Sequence, residues 1–275
     1  MLNWIKSPVR NLLALPLLFG ALPSIYADEC EDCSYGCDIS LGPECYRFCR
    51  EREGGTSQAG YMWGGRLEFE RIKRSSIYVG VSALYAKGEL NGHSTHAVTG
   101  VESRLKSHVT DEDIEGRLGF TFQTCTQKIF SFTPFVGGGY FRESHRYVHP
   151  SPLTIHYRNS FPYVSAGFLS TIDLSSCWDI GLNFKTRYIV DGQNKITDDP
   201  DPEVDDVTIA IGNKFQYRVE LPISYYFCYC SSTWEASFVP FYEFRHYGGH
   251  PNYPFDFLET KIQLYGARLT LAYCF

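Results

Sequence analysis

Tyr265-Gly266-Ala267-Arg268-Leu269-Thr270-Leu271-Ala272-Tyr273-Cys274-Phe275 is the last stretch of the sequence, and its reading decides the architecture. Tyr265, Ala267, Leu269, Leu271, Tyr273 and Phe275 occupy the odd positions, and Gly266, Arg268, Thr270, Ala272 and Cys274 the even ones. Successive side chains of a strand point to opposite faces. One face of this strand is therefore continuously apolar and ends in two aromatics. The other carries an arginine among small and polar groups.

The same period recurs upstream. Trp63, Leu67 and Phe69 alternate with Arg66, Glu68 and Glu70. Ile77, Val79, Val81, Ala83 and Tyr85 form another apolar face. Ile114, Leu118, Phe120 and Phe122 alternate with Glu115 and Arg117. Trp178, Ile180, Leu182 and Phe184 alternate with Asp179, Asn183 and Lys185, and Arg187 continues that polar face. Residues 207–221 and 234–245 repeat the pattern, with Lys214, Arg218 and Glu220 in one and Glu235, Glu243 and Arg245 in the other. Residues 130–141 and 161–174 are apolar on both faces. With the final stretch, nine runs carry strong strand patterning.

The polar faces hold charges of both signs in mid-strand. A soluble sandwich could turn such faces to water, but every aromatic-rich face would then need a partner sheet. A membrane barrel turns the apolar faces to lipid and the charged faces to each other, and closure removes the edges that lipid does not tolerate. The reading is an all-β fold: a transmembrane, antiparallel, up-and-down β-barrel. Such barrels usually have an even strand number. Ten strands are expected, with eight as the alternative. The tenth is placed at residues 93–104, after the hairpin signal Asn91-Gly92; an unpatterned strand near residues 46–58 is the other option.

The N-terminal region reads differently. Lys6 and Arg10 precede an apolar run over residues 12–22, and Ser24-Ile25-Tyr26-Ala27 offers a cleavage site. That order marks residues 1–27 as a secretory signal peptide. Residues 28–60 hold Cys30, Cys33, Cys37, Cys45 and Cys49 and then a polar Gly-rich linker, and are expected to form a short cysteine-rich periplasmic segment. Residues 61–275 are the barrel. Aromatics make up 16% of the chain, an excess that girdles at two membrane interfaces would explain. A formal charge of −6 and no basic stripe argue against nucleic-acid binding.

Loop lengths set the orientation. Ser231-Ser232, Ser175-Ser176 and Thr126-Gln127 lie in short turns, whereas residues 145–158, 191–206 and 248–256 are long connections. Short turns inside and long loops outside put the C-terminus in the periplasm. On that topology Cys125, Cys177, Cys228, Cys230 and Cys274 all fall at the periplasmic rim. With the five N-terminal cysteines they could face one oxidising compartment, as disulfides within the chain or to other envelope proteins. Cys30-x2-Cys33-x3-Cys37 lacks a closing pair of zinc-finger spacing. The acidic run over residues 198–206 has no EF-hand spacing and reads as a solvated loop. No metal and no cofactor are expected.

Arg66, Glu68, Glu70, Glu115, Arg117, Lys185, Arg187, Lys214, Arg218, Glu220, Glu235, Glu243, Arg245 and Arg268 share the inward parity. A barrel of about eight to ten strands is largely filled by side chains. Charges buried there are tolerable only when paired, so a lumen charge network is expected, with Arg268 and Glu243 as one guess at a pair. No nucleophile elbow, P-loop or metalloprotease motif is present. Of the histidines, His93, His96, His108, His145, His149, His156 and His250 read as polar loop or weak-strand residues.

Taken together, the signal sequence, the alternating strands and the final Tyr273-Cys274-Phe275 resemble bacterial outer-membrane β-barrel proteins. The resemblance implies outer-membrane lipid as surroundings. It implies that Leu269, Leu271, Tyr273 and Phe275 form the signal read by the barrel assembly machinery. The cysteine density resembles envelope proteins of chlamydia-like bacteria and implies cysteine-rich envelope partners. Arg245-His246-Tyr247-Gly248 distantly resembles the lipid A deacylase barrels, but Gly248 stands where that family has its serine. An omptin-like protease would need acidic pairs and an Asp–His pair at the outer rim. The expected role is structural or surface-interacting and non-enzymatic, with a small porin-like channel as the alternative.

Overall fold

The computed structural model describes residues 36–72, 75–95, 100–124, 130–152, 154–198, 206–229, 232–248 and 259–275. Ten antiparallel strands form one closed barrel. The first six are Gly36–Arg52, Thr56–Ile72, Ile77–Thr95, Glu102–Phe120 with its continuation Phe122–Thr124, Phe130–Tyr147 and His156–Asp173. The seventh runs in pieces, Trp178–Gly181, Asn183–Ile189 and Gly192–Thr197, as does the eighth, Val207–Ile211, Phe215–Glu220 and Ile223–Tyr229. Ser232–Tyr247 and Thr260–Cys274 are the ninth and tenth. Each strand pairs with its neighbours in sequence, and the tenth closes on the first, Cys274 opposite Asp38 and Thr260 opposite Arg52. One break in the eighth strand falls at Leu221 and Pro222. Proline has no N–H to give the ladder, yet the carbonyl of Pro222 still accepts from Gly181 N and Leu221 N donates to Pro240 O, so pairing continues across the break.

The strand number agrees with the sequence reading, but two placements are corrected. The tenth strand is not residues 93–104. That stretch contains the end of the third strand, the connection after it and the start of the fourth. Asn91-Gly92 is no turn: Gly92 lies within the third strand, where a Cβ would collide with the backbone of Ser57 and Gln58. The missing strand is Gly36–Arg52, inside the segment expected to be a periplasmic cysteine-rich tether. Its inward face, Ser40, Gly42, Glu44, Tyr46, Phe48 and Arg50, alternates as strictly as any other. The polar linker is the hairpin turn between the first two strands, made by Gly54 and Gly55 at φ of 86° and 84°, a region glycine enters without steric cost. The signal peptide and the cysteines Cys30, Cys33, Cys125 and Cys230 lie outside the described residues.

The outward face divides into two zones. Toward the end carrying Gly36 and Phe275, hereafter the terminal end, it is apolar and exposed: Leu41, Leu67, Ile114, Leu118, Val136 and Leu271 are all about half exposed or more. Aromatics border this band on both sides, Tyr61, Trp63, Tyr85, Tyr140 and Tyr265 on one and Phe122, Trp178, Tyr229, Tyr273 and Phe275 on the other. Beyond the first border the outward positions become Lys87, Glu89, Lys106, His108, Arg142, Ser144, Arg146 and Arg158. The first to fourth strands run 17 to 19 residues. A tilted strand crosses the hydrocarbon in about 9–11 residues, so the remaining length forms a collar that stands clear of the apolar band. Lys106 bonds Glu89 at 3.0 Å on its surface, and Arg142 pairs with Glu112.

Candidate functional site

The lumen is where the sequence spends its charge. Strand alternation aims one side chain in two inward, and closure brings those of all ten strands together. Nearest the terminal end are carboxylates held by hydroxyls. Ser224 and Ser237 donate to Glu235 Oε1 at 2.7 and 2.5 Å, and Tyr226 donates to Asp179 at 2.6 Å.

Above them lies a belt of ion pairs. Glu44 is 1% exposed and accepts from Arg66 Nε at 2.9 Å and Arg218 Nη1 at 3.1 Å. Arg218 also reaches Glu220 at 2.7 Å and Glu243 at 3.1 Å. Arg268 lies 2.7 Å from Glu68 and 3.9 Å from Glu220. Arg117 lies between Glu68 and Glu70, at 3.5 and 3.3 Å, and Lys185 bonds Glu115 at 2.7 Å.

A second belt follows. Arg187 reaches Glu243 at 2.7 Å and Asp113 at 3.5 Å. Arg245 reaches Asp111 at 2.8 Å, Glu243 at 2.7 Å and Glu143 at 3.3 Å. Tyrosines complete the carboxylates: Tyr46 donates to Asp111 and Tyr163 to Asp113, each at 2.8 Å, and Tyr247 to Glu143 at 3.2 Å. Interleaved with this belt is a layer of buried apolar side chains, among them Phe48, Met62, Phe141, Phe161, Phe241, Ile262 and Leu264. Gly266 makes room for it, since a Cβ there would meet Tyr46 and Phe241. Arginines lie against its rings. Arg187 and Arg245 sit 4.8 and 4.6 Å from the Phe141 centroid, and Arg218 sits 3.8 Å from that of Phe241.

Among the described residues, the larger of the lumen cavities lie toward the two ends. A cavity of about 330 Å³ occupies the collar and one of about 140 Å³ the terminal end, while the pocket beside Arg66, Glu115 and Lys185 holds about 30 Å³.

Of the fourteen charges with inward parity, Arg66, Glu68, Glu70, Glu115, Arg117, Lys185, Arg187, Arg218, Glu220, Glu243, Arg245 and Arg268 stand in these ion pairs. Glu235 is inward but is held by serines, and Lys214 lies in the break between Ile211 and Phe215, outside the ion pairs among the described residues. Arg268 does not meet Glu243. It lies opposite Val239, and Glu243 lies opposite Leu264. Four acids of the lumen ion pairs lie outside that set. Glu44 sits in the strand taken for a tether. Asp111, Asp113 and Glu143 alternate with outward Glu112 and Arg142, so charge on both faces hid the alternation. Extending the parity of Glu115 and Arg117 back by two and four residues would have found Asp113 and Asp111.

Two histidines matter. His145 is fully buried, its Nε2 2.9 Å from Glu143 Oε1 and its ring stacked on Tyr157 at 4.6 Å. This is an acid–imidazole pair inside the collar rather than at its rim. His246 faces outward, 2.6 Å from Glu259, and this hydrogen bond holds the Glu259 carboxyl below its usual range. Gly248, at φ 86°, follows without a side chain.

The cysteines do not form one belt. Cys177 precedes the seventh strand, and Cys37, Cys228 and Cys274 lie near the terminal end. Cys45 and Cys49, however, point outward from the first strand, Cys45 opposite Trp63 and Ala267 and Cys49 opposite Ala59 and Gln263. Cys37, Cys45, Cys49 and Cys177 are in the thiol form. Cys45 lies level with Trp63 inside the aromatic border, and Cys49 lies two residues beyond the level of Tyr61 and Tyr265. A membrane-impermeant maleimide added to intact cells will therefore label Cys49 and spare Cys45, in single-cysteine variants followed by mass shift. Equal labelling of both would remove the assigned boundary.

No protein-family model matches the chain, and no curated protein does. Solved structures do. The outer membrane protease OmpT from Escherichia coli superposes with a TM-score of 0.56 at 10% identity, over 87% of this chain and 96% of that one. The transport unit of the autotransporter AIDA-I from Escherichia coli gives 0.44 at 10% identity, over 94% and 96%, and OprG from Pseudomonas aeruginosa gives 0.33 at 10%, over 88% and 97%. The likeness to OmpT is one of fold, and the comparisons do not support the resemblance to chlamydia-like envelope proteins. The chain is an outer-membrane-type β-barrel of ten strands.

Proposed function

We propose that the chain is exported to the bacterial outer membrane and serves there as a closed, non-conducting barrel with a structural or surface-contact role, displaying its collar and longer connections outside. The observation that carries this reading is the filled lumen. Two belts of ion pairs and an apolar layer separate the cavities at the two ends, and Phe48, Met62, Phe141, Phe161, Ile262 and Leu264 have no exposure at all. A porin-like channel needs a continuous aqueous path along its lumen. At the terminal end, the thiols of Cys37 and Cys177 suit cross-links to other envelope proteins in an oxidising compartment. The hydrolase alternative is disfavoured by Gly248 beside His246. Planar-bilayer recording of the purified chain tests the main reading: insertion without steady single-channel current is expected. Steady currents at low voltage would replace it with the channel reading.

A further inference from the structure

The collar cavity is built as a binding site. Its walls are apolar on one side, with Leu105, Ile155 and Ile196, and polar on the other. Its volume of about 330 Å³ lies within the range of small-molecule pockets, roughly 300–1,000 Å³. Tyr147 and Tyr157 contribute rings to it, with centroids 5.9 Å apart. Arg50 and Arg52 line it, and no described Asp or Glu does.

Arg50 is the decisive residue. It is 3% exposed, yet none of the ion pairs among the described residues includes it. Its Nη1 donates only to neutral groups, Gln58 Oε1 at 3.3 Å and Tyr147 Oη at 3.2 Å, and its guanidinium lies 4.8 Å from the Tyr157 centroid. Glu143, the carboxylate acting on it, is already held by Arg245, His145, Tyr247 and Asn159. Arg50 Nε is buried without a hydrogen-bond partner. The same is true of two further lining atoms, the Tyr157 hydroxyl and Asn194 Oδ1. In the two belts below, by contrast, Arg66, Arg117, Arg187, Arg218, Arg245 and Arg268 each meet a carboxylate. Here the barrel buries a guanidinium, a hydroxyl and an amide oxygen around an empty space.

We propose that the collar cavity binds a small monocarboxylate with a flat apolar body and a hydroxyl group, the carboxylate accepting from Arg50 and the Tyr157 hydroxyl, the body against Leu105, Ile155 and Ile196, and the hydroxyl donating to Asn194 Oδ1. A carboxylate matches the planar donor edge of a guanidinium. Asn194 Oδ1 accepts and cannot donate, so it selects a ligand that carries a donor.

The test is calorimetric titration of the full chain in detergent micelles with 4-hydroxyphenylacetate. Saturable binding is expected. The neutral 4-hydroxyphenylacetamide and the cationic tyramine, which keep the body and the hydroxyl, should bind about tenfold more weakly or less, because a charge-assisted hydrogen bond is lost. Arg50→Gln should weaken the carboxylate by about tenfold. Tyr157→Phe, which keeps the ring and the fold, should weaken it by about threefold. Absence of saturable binding, equal affinity for tyramine, or undiminished affinity in both variants overturns the proposal. If Arg50→Gln does not fold, the ligand series and Tyr157→Phe decide alone.

Discussion

Arg245→Met will destabilise the barrel by about 3–5 kcal/mol, the cost of stripping one partner from a buried charge cluster. Arg245 is 1% exposed and holds Asp111 at 2.8 Å, Glu243 at 2.7 Å and Glu143 at 3.3 Å. Glu243 keeps Arg187 and Arg218 after the change. Asp111 keeps the hydrogen bond from Tyr46, and Glu143 keeps those from Tyr247, Asn159 and His145 with Arg50 as a more distant cation. Methionine fills the space against Phe141, so the loss isolates charge from packing. The measurement is the urea midpoint for unfolding from lipid vesicles, with the folded fraction read by heat-dependent electrophoretic mobility. Lys195→Met is the control. Its pair with Asp206, at 3.3 Å, is half exposed on both sides and should contribute about 0–1 kcal/mol. Asp111→Asn added to Arg245→Met should recover part of the loss. Equal midpoints for Arg245→Met and Lys195→Met would sink the account of the lumen as a paired network.

A lumen of charges is a costly way to fill a barrel. Apolar side chains of equal volume would often be as stable, because buried ion pairs gain little over the water they lose. Two consequences favour the charges. Before assembly, a strand with apolar residues on both faces would be prone to aggregate, and alternating charge keeps one face soluble. In the barrel, a slip of one residue would carry Arg66, Glu68 and Glu70 to lipid and Leu67 and Phe69 inward. At the band's midplane an arginine facing lipid costs about 2–4 kcal/mol, so the ladder of charges pins the register of each strand. The collar obeys a different logic. Its outward face is wet, so its inward face need not be the polar one, and Leu90, Leu105, Val109 and Ile196 point in there.

That change of logic explains what could be read beforehand. In the apolar band, inside and outside differ in polarity at every step, and period two exposed most of the strands and most of the ion-pairing charges. Above the band both faces carry polar groups, and the pattern dissolved. Asp111-Glu112-Asp113 and Arg142-Glu143 gave no alternation, and the third and fourth strands run on past where their apolar faces ended. The collar cavity was invisible for the same reason. Its lining comes from seven strands and one connection, and no single strand shows more than two of its residues. The ion-pair partners were equally out of reach, because they depend on barrel stagger: Arg218 meets Glu44 across 174 positions of sequence.

The first strand shows the reverse failure, a legible pattern set aside for its composition. Its cysteines drew attention to a tether, while Ser40, Glu44, Tyr46, Phe48 and Arg50 kept inward parity. Glu44→Gln distinguishes the two assignments. If residues 36–52 were a periplasmic segment, the substitution would be a surface change within about 0.5 kcal/mol. In the barrel Glu44 is 1% exposed and neutralises Arg66 and Arg218 on opposite sides. Its amide would leave Arg66 with Glu68 and Glu220 only as more distant neighbours, and Arg218 with Glu220 and Glu243. A loss of about 3 kcal/mol or more in the urea midpoint is expected. Glu53→Gln, nine residues on in the hairpin turn, serves as the neutral comparison: it is exposed, and only its backbone N–H bonds Glu259 O, at 2.9 Å. Glu44→Lys sharpens the contrast. A third cation beside Arg66 and Arg218 cannot be paired there, so the full-length chain should fail to reach the heat-modifiable folded form. The same lysine at outward position 47 would only replace one cation with another. A folded, normally stable Glu44→Lys protein would return residues 36–52 to the periplasm and reopen the barrel between its second and tenth strands.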